Sequence, residues 1–347
     1  MPNLKLASWN IEWMNDWFMP GGGPAAFRPT FTRDGATNDT NVTAQRAANL
    51  ILAVDADLIA IQEAASRQAE VDLFIQTYLT QGSAPLYQAI VGDSGASQKL
   101  AFLWKPGSVT NVALAPSTQI QYLLDSWQAD VDGDALLDSY QFTRQPLVVN
   151  VTLGAQQLQV IVMHTKSNFV NNGAQLWGNL GTRQQYVVEA LKARRRNSAE
   201  CMRTRLYLNQ MLTTDPKVRV VVLGDLNDGP GQDYFEEFYL THSVTDILVG
   251  TAFEPERMFT HAQHDVAPAN RYSAVFDDFV PVALPGRRLL LDHILLSPGF
   301  NSHTGLRRRH GTGAVEHAAY DGLINGTGAK REDRPSDHRP ASIGLVF

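Results

Sequence analysis

Apolar and polar residues alternate from Leu4 to Ile11 and the run ends at Trp9-Asn10-Ile11, the period of a strand that starts close to the amino terminus. Residues 19–41 carry Pro20, Gly21 to Gly23, Pro24, Pro29, Asn38 and Asn41 with little periodicity, which predicts a long surface loop, either a lid or an idle insertion. Beyond it, Val42, Ala44, Ala47, Ala48, Ile51 and Leu52 are spaced for an amphipathic helix capped near Asn41. Leu58-Ile59-Ala60-Ile61 then reads as a buried strand ending at Gln62-Glu63. The pattern further predicts a helix over 67–79, strands at 86–91, 99–104, 146–153 and 157–163, and a helix over 183–213. Buried strands at 218–223 and 289–296 follow. Strands interleaved with helices, without a repeat, predict α/β or α+β layering.

Composition narrows this picture. A chain of 347 residues, 44% hydrophobic, can bury a large core as one domain or two small ones. The formal net charge of −6 excludes a global basic field, so a polyanionic partner must be held locally or through metal. The single cysteine, Cys201, excludes an internal disulfide and agrees with a reducing compartment. The amino terminus is too short in apolar residues for a signal segment, and no apolar stretch reaches the ~18 residues of a membrane span. The expectation is a soluble, cytoplasmic protein with no transmembrane segment; secretion through a removed leader is the alternative. Arg194–Arg196 and Arg307–Arg309 read as a solvated helix face or loop.

Six segments place polar or ionisable residues at the end of an apolar run or just before one. They are Ser8-Trp9-Asn10, Gln62-Glu63, His164-Thr165-Lys166-Ser167, Gly224-Asp225-Leu226-Asn227, Leu291-Asp292-His293 and Ser336-Asp337-His338-Arg339-Pro340. Each alone has a plain explanation: Gly-Asp-x-Asn is a common turn, Glu63 suits a helix cap, and His164 suits a satisfied core histidine. Asp292 is different, because a carboxylate between Leu289-Leu290-Leu291 and Ile294-Leu295-Leu296 requires a partner. Strand ends on one edge of a sheet pool their loops, and six of them together build one site.

The inventory suits phosphoryl transfer. Mg²⁺ or Mn²⁺ takes hard oxygen ligands, for which Glu63 and Asp337 serve with Asn10 adding a neutral oxygen. Asp225 and Asn227 orient a water, while His164, Lys166 and the metal face phosphate oxygens. His338, buttressed by Asp292, serves as base or as charged phosphate ligand according to its pKa. Zinc is disfavoured: there is no cysteine cluster, and His261, His264 and Asp265 lack a third partner and read as loop.

In this order the six segments resemble the endonuclease/exonuclease/phosphatase superfamily, from residue 8 to residue 340. The resemblance implies a four-layer sandwich: two packed mixed β-sheets flanked by helices, with the site at one edge. It implies Glu63 as principal metal ligand, helped by Asn10 and Asp337, and Asn10 with Lys166 at the phosphate. It implies Asp225 and Asn227 on the nucleophile, His164 among the catalytic groups, and Asp292 paired with His338. The His-x-Lys-Ser form looks more like the deoxyribonuclease and sphingomyelinase branches than the apurinic-site branch.

The expectation is one domain over residues 1–347 with insertions near 19–41, 110–145, 168–182 and 255–288, where substrate choice is set. Within one of them, Asp130, Asp132, Asp134 and Asp138 resemble an acidic calcium loop and suggest structural Ca²⁺, with an acidic turn between strands as the alternative. Three functions stay open: a phosphodiesterase on nucleic acid, hydrolysis of a small or lipid phosphoester in a pocket roofed by insertions, or a non-catalytic phosphate-binding module. Trp13, Trp17, Phe18 and Trp177 lie near site segments and either line such a pocket or belong to the core.

Overall fold

Period-2 alternation sorts the first strand's residues to two sides: Leu4 and Leu6 face one buried layer while Ala7 and Trp9 face another. A strand buried on both faces requires cover on both, and the computed structural model supplies it. It describes residues 3–95, 97–229, 243–276, 286–328 and 330–347.

The first sheet contains β1 (Asn3–Asn10), β2 (Leu58–Ala64), β3 (Gln88–Val91) and β4 (Lys99–Trp104). The second contains β5 (Asn111–Leu114), β6 (Leu147–Leu153), β7 (Gln156–His164), β8 (Val220–Asp225), β9 (Thr260–His261) and β10 (Asp292–Leu296). The chain then returns to the first sheet with β11 (Arg307–Arg308), β12 (Ala314–Val315) and β13 (Ala341–Val346). Strand order is β11-β13-β1-β2-β4-β3, with β12 also on β13, in one sheet and β9-β10-β8-β7-β6-β5 in the other. Both sheets are mixed: β1–β2 and β7–β8 are parallel, the other pairs antiparallel.

Leu6, Leu58, Phe102 and Ile343 meet Val149, Val160, Val221 and Ile294 between the sheets. Helices α1 (Thr40–Val54), α2 (Gln68–Tyr78) and α4 (His317–Leu323) cover the first sheet's outer face, and α3 (Arg183–Thr214) covers the second's. This is the expected four-layer sandwich.

Several expectations are corrected. Residues 19–41 are not all loop: Thr30–Arg33 and Ala36–Asp39 form a hairpin around Asp34 and Gly35, both with positive φ, the two-residue Asp-Gly turn. Its Phe31 is buried in the helix-side core. The α1 cap is Asp39, whose side chain accepts from Val42 N, rather than Asn41. Within 110–145, Asn111–Leu114 is an integral edge strand, not insertion. The apolar run 289–296 is broken: Leu289 pairs with Ala274 in a separate hairpin and the main-sheet strand begins at Asp292. His261 and His264 are not on a free loop, since His261 pairs with Leu295 in β9 and is buried. Arg307 and Arg308 belong to β11, opposite Val346 and Leu345. The predicted insertion at 255–288 partly lies outside the described residues, at 277–285.

Candidate metal and phosphoester site

Register alone aligns three of the predicted residues. His164 stands opposite Asp225 in the parallel β7–β8 pair, and Asp225 opposite Asp292 in the antiparallel β8–β10 pair. On the first sheet Asn10 ends β1 opposite Gln62, one residue before Glu63. The sheets meet at this edge through Asn10, whose Nδ2 donates to Glu63 Oε1 at 3.2 Å and to Asp225 Oδ2 at 2.9 Å.

Local backbone geometry serves the site. The β2–β4 register shifts between Ile61 and Ala64, and Glu63 adopts φ 55° there. Among the described residues, eight non-glycine residues have positive φ, and four of them, Glu12, Trp13, Glu63 and Asn227, belong to this site. Such strain persists only where surroundings over-determine it, as at functional sites. It also has visible uses. The left-handed Trp13 aims its N–H at Glu63 Oε2 (3.0 Å), and the N–H of Asn227 reaches Asp225 Oδ1 (2.8 Å). At Gly224, φ +141°, a Cβ would lie 1.8 Å from Met163 O, so only glycine lets β8 approach β7 here.

The carboxy-terminal motif closes the site from the other end of the chain. Ser336 Oγ donates to Asn10 O (2.6 Å), Trp9 Nε1 donates to His338 O (2.9 Å), and Tyr320 Oη donates to Ser336 O (2.5 Å). His338 Nδ1 lies 2.7 Å from Asp292 Oδ2, while its Nε2 faces Asp225 Oδ2 at 3.9 Å and Asp337 Oδ1 at 3.6 Å. The main-chain N–H groups of Leu291 and Asp292 both donate to Ser273 Oγ, which fixes that carboxylate's strand. Asp292, the charge inside an apolar run, has the partner the sequence demanded.

The electrostatics separate the groups. Burial disfavours an imidazolium at His338, but Asp292, Asp225 and Asp337 outweigh it and hold its pKa well above 6.5. His164 goes the other way: burial, then Arg144 and His338, push it well below 6.5, so it is neutral. It faces Asp225 Oδ2 at 3.6 Å and Glu63 Oε1 at 3.8 Å. Its Nδ1 has no hydrogen-bond partner among the described residues. Burial raises Glu63 to about 7 against hydrogen bonds from Asn10 and Trp13, and raises Asp225 to about 6 against His338. Two buried carboxylates whose charge is so poorly compensated fit a bound cation. Among the described residues only Asp130, Asp132 and Asp134 bring three ligand atoms within 4.8 Å, so Glu63 and Asp337 do not form a closed cage. An open set of one or two carboxylates with a neutral oxygen is a donor set that a hard divalent cation keeping several waters can use.

The structure thus gathers Asn10, Glu63, His164, Asp225, Asn227, Asp292, Asp337 and His338. Lys166 is beside them, half-buried, with Nζ donating to Ser167 O at 2.7 Å and its main-chain N–H donating to Glu200 Oε2 at 3.1 Å. Asp130, Asp132 and Asp134 converge in a separate exposed loop, where Asp132 also pairs with Arg195 at 2.9 Å. Asp138 is not part of that group; it lies on a short strand opposite Ala129. Trp17 and Phe18 are core residues, whereas Trp13 is 44% exposed. Trp177 packs edge-on to Tyr186 at 5.6 Å and under Arg183 at 4.6 Å.

Sequence reasoning missed a supporting layer. Gln98 Nε2 donates to Glu63 Oε2 at 2.5 Å, and Arg144 donates through Nε (3.0 Å) and Nη2 to Gln98 Oε1. Glu200 accepts from Thr143 and Lys166. Its signal was available, an acid on the stripe Ala190, Ala193, Asn197, Glu200, Thr204 and Leu208 that faces the sheet. Glu12 and Arg331 carried no such signal.

The chain matches the Endonuclease/Exonuclease/phosphatase family over residues 7–338. No curated protein matches the sequence. Among solved structures it is similar to truncated TDP2 from Caenorhabditis elegans (12% identity, TM-score 0.50, 99% of this chain and 98% of that one). It is also similar to D. rerio TDP2 complexed with a single-strand DNA product (14% identity, TM-score 0.50, 99% of each chain). The human nocturnin catalytic domain aligns at 14% identity and TM-score 0.47 over 100% of this chain and 95% of that one. At these identities the likeness to the two TDP2 structures is one of fold.

Proposed function

The chain belongs to the endonuclease/exonuclease/phosphatase family, whose members hydrolyse phosphoesters, and from that premise we propose that it is a divalent-metal-dependent phosphodiesterase. The observation that carries the reading is the His164–Asp225–Asp292 register with His338 held as an imidazolium between Asp292 and Asp225. In this reading residues 1–347 act as one domain. Glu63, with Asn10 and Asp337, holds Mg²⁺ or Mn²⁺, which when bound supplies Lewis-acid neutralisation of phosphate charge.

The protein's own groups do the rest. Asp225 and Asn227 orient a water opposite the leaving oxygen, and Asp225, a carboxylate above about pH 6, takes its proton. The water oxygen bonds to phosphorus as the ester P–O bond breaks, and the leaving oxygen takes a proton from solvent. His338 donates from Nε2 to a phosphate oxygen and stabilises the charge that gathers there, with neutral His164 and Lys166 on the same group. Because His338 is already protonated, it is the charged phosphate ligand rather than the base.

A second reading, a small or lipid phosphoester, draws support from apolar groups at the rim. Phe169, 70% exposed, follows Asn168, whose Nδ2 donates to Asn227 O at 2.8 Å, and Trp13, also exposed, donates its main-chain N–H to Glu63. For Asp130, Asp132 and Asp134 the cation we propose is Ca²⁺, in competition with Arg195. Among the described residues no helix is long and apolar enough to cross a membrane.

Hydrolysis of bis-p-nitrophenyl phosphate, p-nitrophenyl phosphate and plasmid DNA with Mg²⁺, Mn²⁺, Ca²⁺ or EDTA tests the proposal. Cleavage of a diester that EDTA stops supports it, and a preference for the small ester over DNA moves the substrate to the second reading. Turnover undiminished by EDTA refutes the metal-dependent reading.

A further inference from the structure

Glu12 stands two residues beyond Asn10 in a left-handed backbone conformation, φ 39°, with its N–H on Asn10 Oδ1 at 2.9 Å. Strained non-glycine backbone of this kind clusters at functional sites. The carboxylate meets Arg331, which donates from Nη1 to Oε2 at 3.0 Å and from Nη2 to Oε1 at 2.6 Å, a bidentate fork. The same Nη2 reaches Asp337 Oδ2 at 3.2 Å. One guanidinium therefore bridges two carboxylates from opposite ends of the chain, and one of them, Asp337, faces His338. Arg33 lies 3.6 Å from Glu12 Oε2, but its guanidinium donates to two main-chain carbonyls, Glu12 O and Arg334 O, at 2.6 Å each. Two carboxylates held together beside a metal site are what a second hard cation would take, and phosphoester sites with two ions are a common solution.

We propose that Arg331 takes the place of a second divalent cation, so that this protein works with a single ion held at Glu63. A guanidinium here pairs permanently with Glu12 and with Asp337 Oδ2, leaving Asp337 Oδ1 for the ion held with Glu63, and its planar fork fixes the separation of the two carboxylates, which a hydrated ammonium could not do. The second charge of the site is then independent of metal supply. This inference rests on the proposed metal dependence, and the test separates the two.

The test is the number of Mn²⁺ ions bound per chain, read from the free-ion electron paramagnetic resonance signal in a titration of the full-length protein. All proteins carry Asp130→Asn and Asp134→Asn, so that the separate acidic loop adds no ion to the count; on that background they are wild type at the site, Arg331→Gln, Arg331→Met and the double variant Arg331→Gln/Glu12→Gln. Arg331 lies on a short 3₁₀ turn with 38% of its side chain exposed, so neither single replacement opens the core. One ion is expected in wild type, two in either single variant, and one again in the double variant. Wild type binding two ions with Arg331 in place overturns the inference, as do single variants that both stay at one ion or a second ion that survives loss of Glu12. Wild type binding no ion overturns the metal-dependent function itself.

Discussion

Burial of Glu63 has a thermodynamic signature in the metal-free protein. Its pKa rises from 4.5 to about 7, chiefly by desolvation, and the hydrogen bonds from Asn10 and Trp13 only offset part of that. A group that binds its proton more tightly folded than unfolded stabilises the fold fully below the unfolded value, and that stability is lost as pH rises through the folded value. The window is therefore about pH 4.5 to 7. At about 1.4 kcal/mol per pH unit the loss comes to about 3 kcal/mol. For a chain of this length an unfolding entropy of about 0.7 kcal/mol per kelvin converts it to about 4 °C in Tm. Other groups titrate in the same range, so the useful quantity is the difference from Glu63→Gln, which lacks this titration. In EDTA, the Tm of wild type relative to Glu63→Gln should fall by about 4 °C between pH 5 and pH 8. Saturating Mn²⁺ should restore wild type at pH 8 and leave Glu63→Gln little changed. Parallel Tm curves for the two proteins in EDTA would refute the reasoning, because the buried carboxylate would then carry no uncompensated charge.

Three other perturbations follow from the geometry. Asp292→Asn removes the strongest support for the His338 imidazolium, so turnover should fall about 100-fold and the alkaline limb of the pH–rate profile should move to lower pH, as measured with a diester substrate. Gln98→Leu removes the donor on Glu63 Oε2 and the link to Arg144, and Mn²⁺ affinity should weaken about 10-fold by titration. His293 is buried neutral, lowered by burial from 6.5 to about 4, and contacts His261 at 2.8 Å and Asp228 O at 2.7 Å. Its folded pKa lies below the unfolded one, so its contribution is present above 6.5 and lost as pH falls toward 4; the drop in urea midpoint from pH 7 to pH 5 should be smaller in His293→Gln.

What the sequence discloses and what it hides have different physical origins. Strands buried on both faces read as apolar runs, and a polar residue ending such a run stands out, which is why Asn10, Glu63, His164, Asp225 and Asp292 were legible. Register then brought them together without any further signal. The Asp34-Gly35 hairpin was readable from its turn residues but was masked by the glycines and prolines before it. Gln98, Arg144 and Arg331 were not legible, because each acts through side-chain contacts made across the fold, and no periodicity records such contacts. Asp138 shows the converse: closeness in sequence to an acidic loop, yet a place in a strand pair and not among the converging carboxylates.

Trp9 and Asn10 are joined to His338 and Ser336 across 329 and 326 residues. Contacts of such sequence separation carry a loop-closure cost that slows folding. Without the segment that carries Ser336 and His338, the first sheet lacks β13, the strand between β1 and β11, and the centre lacks Asp337 and His338. Docking of the segment from Ser336 to Val346 beside β1 therefore couples closure of the first sheet to delivery of His338 to the site.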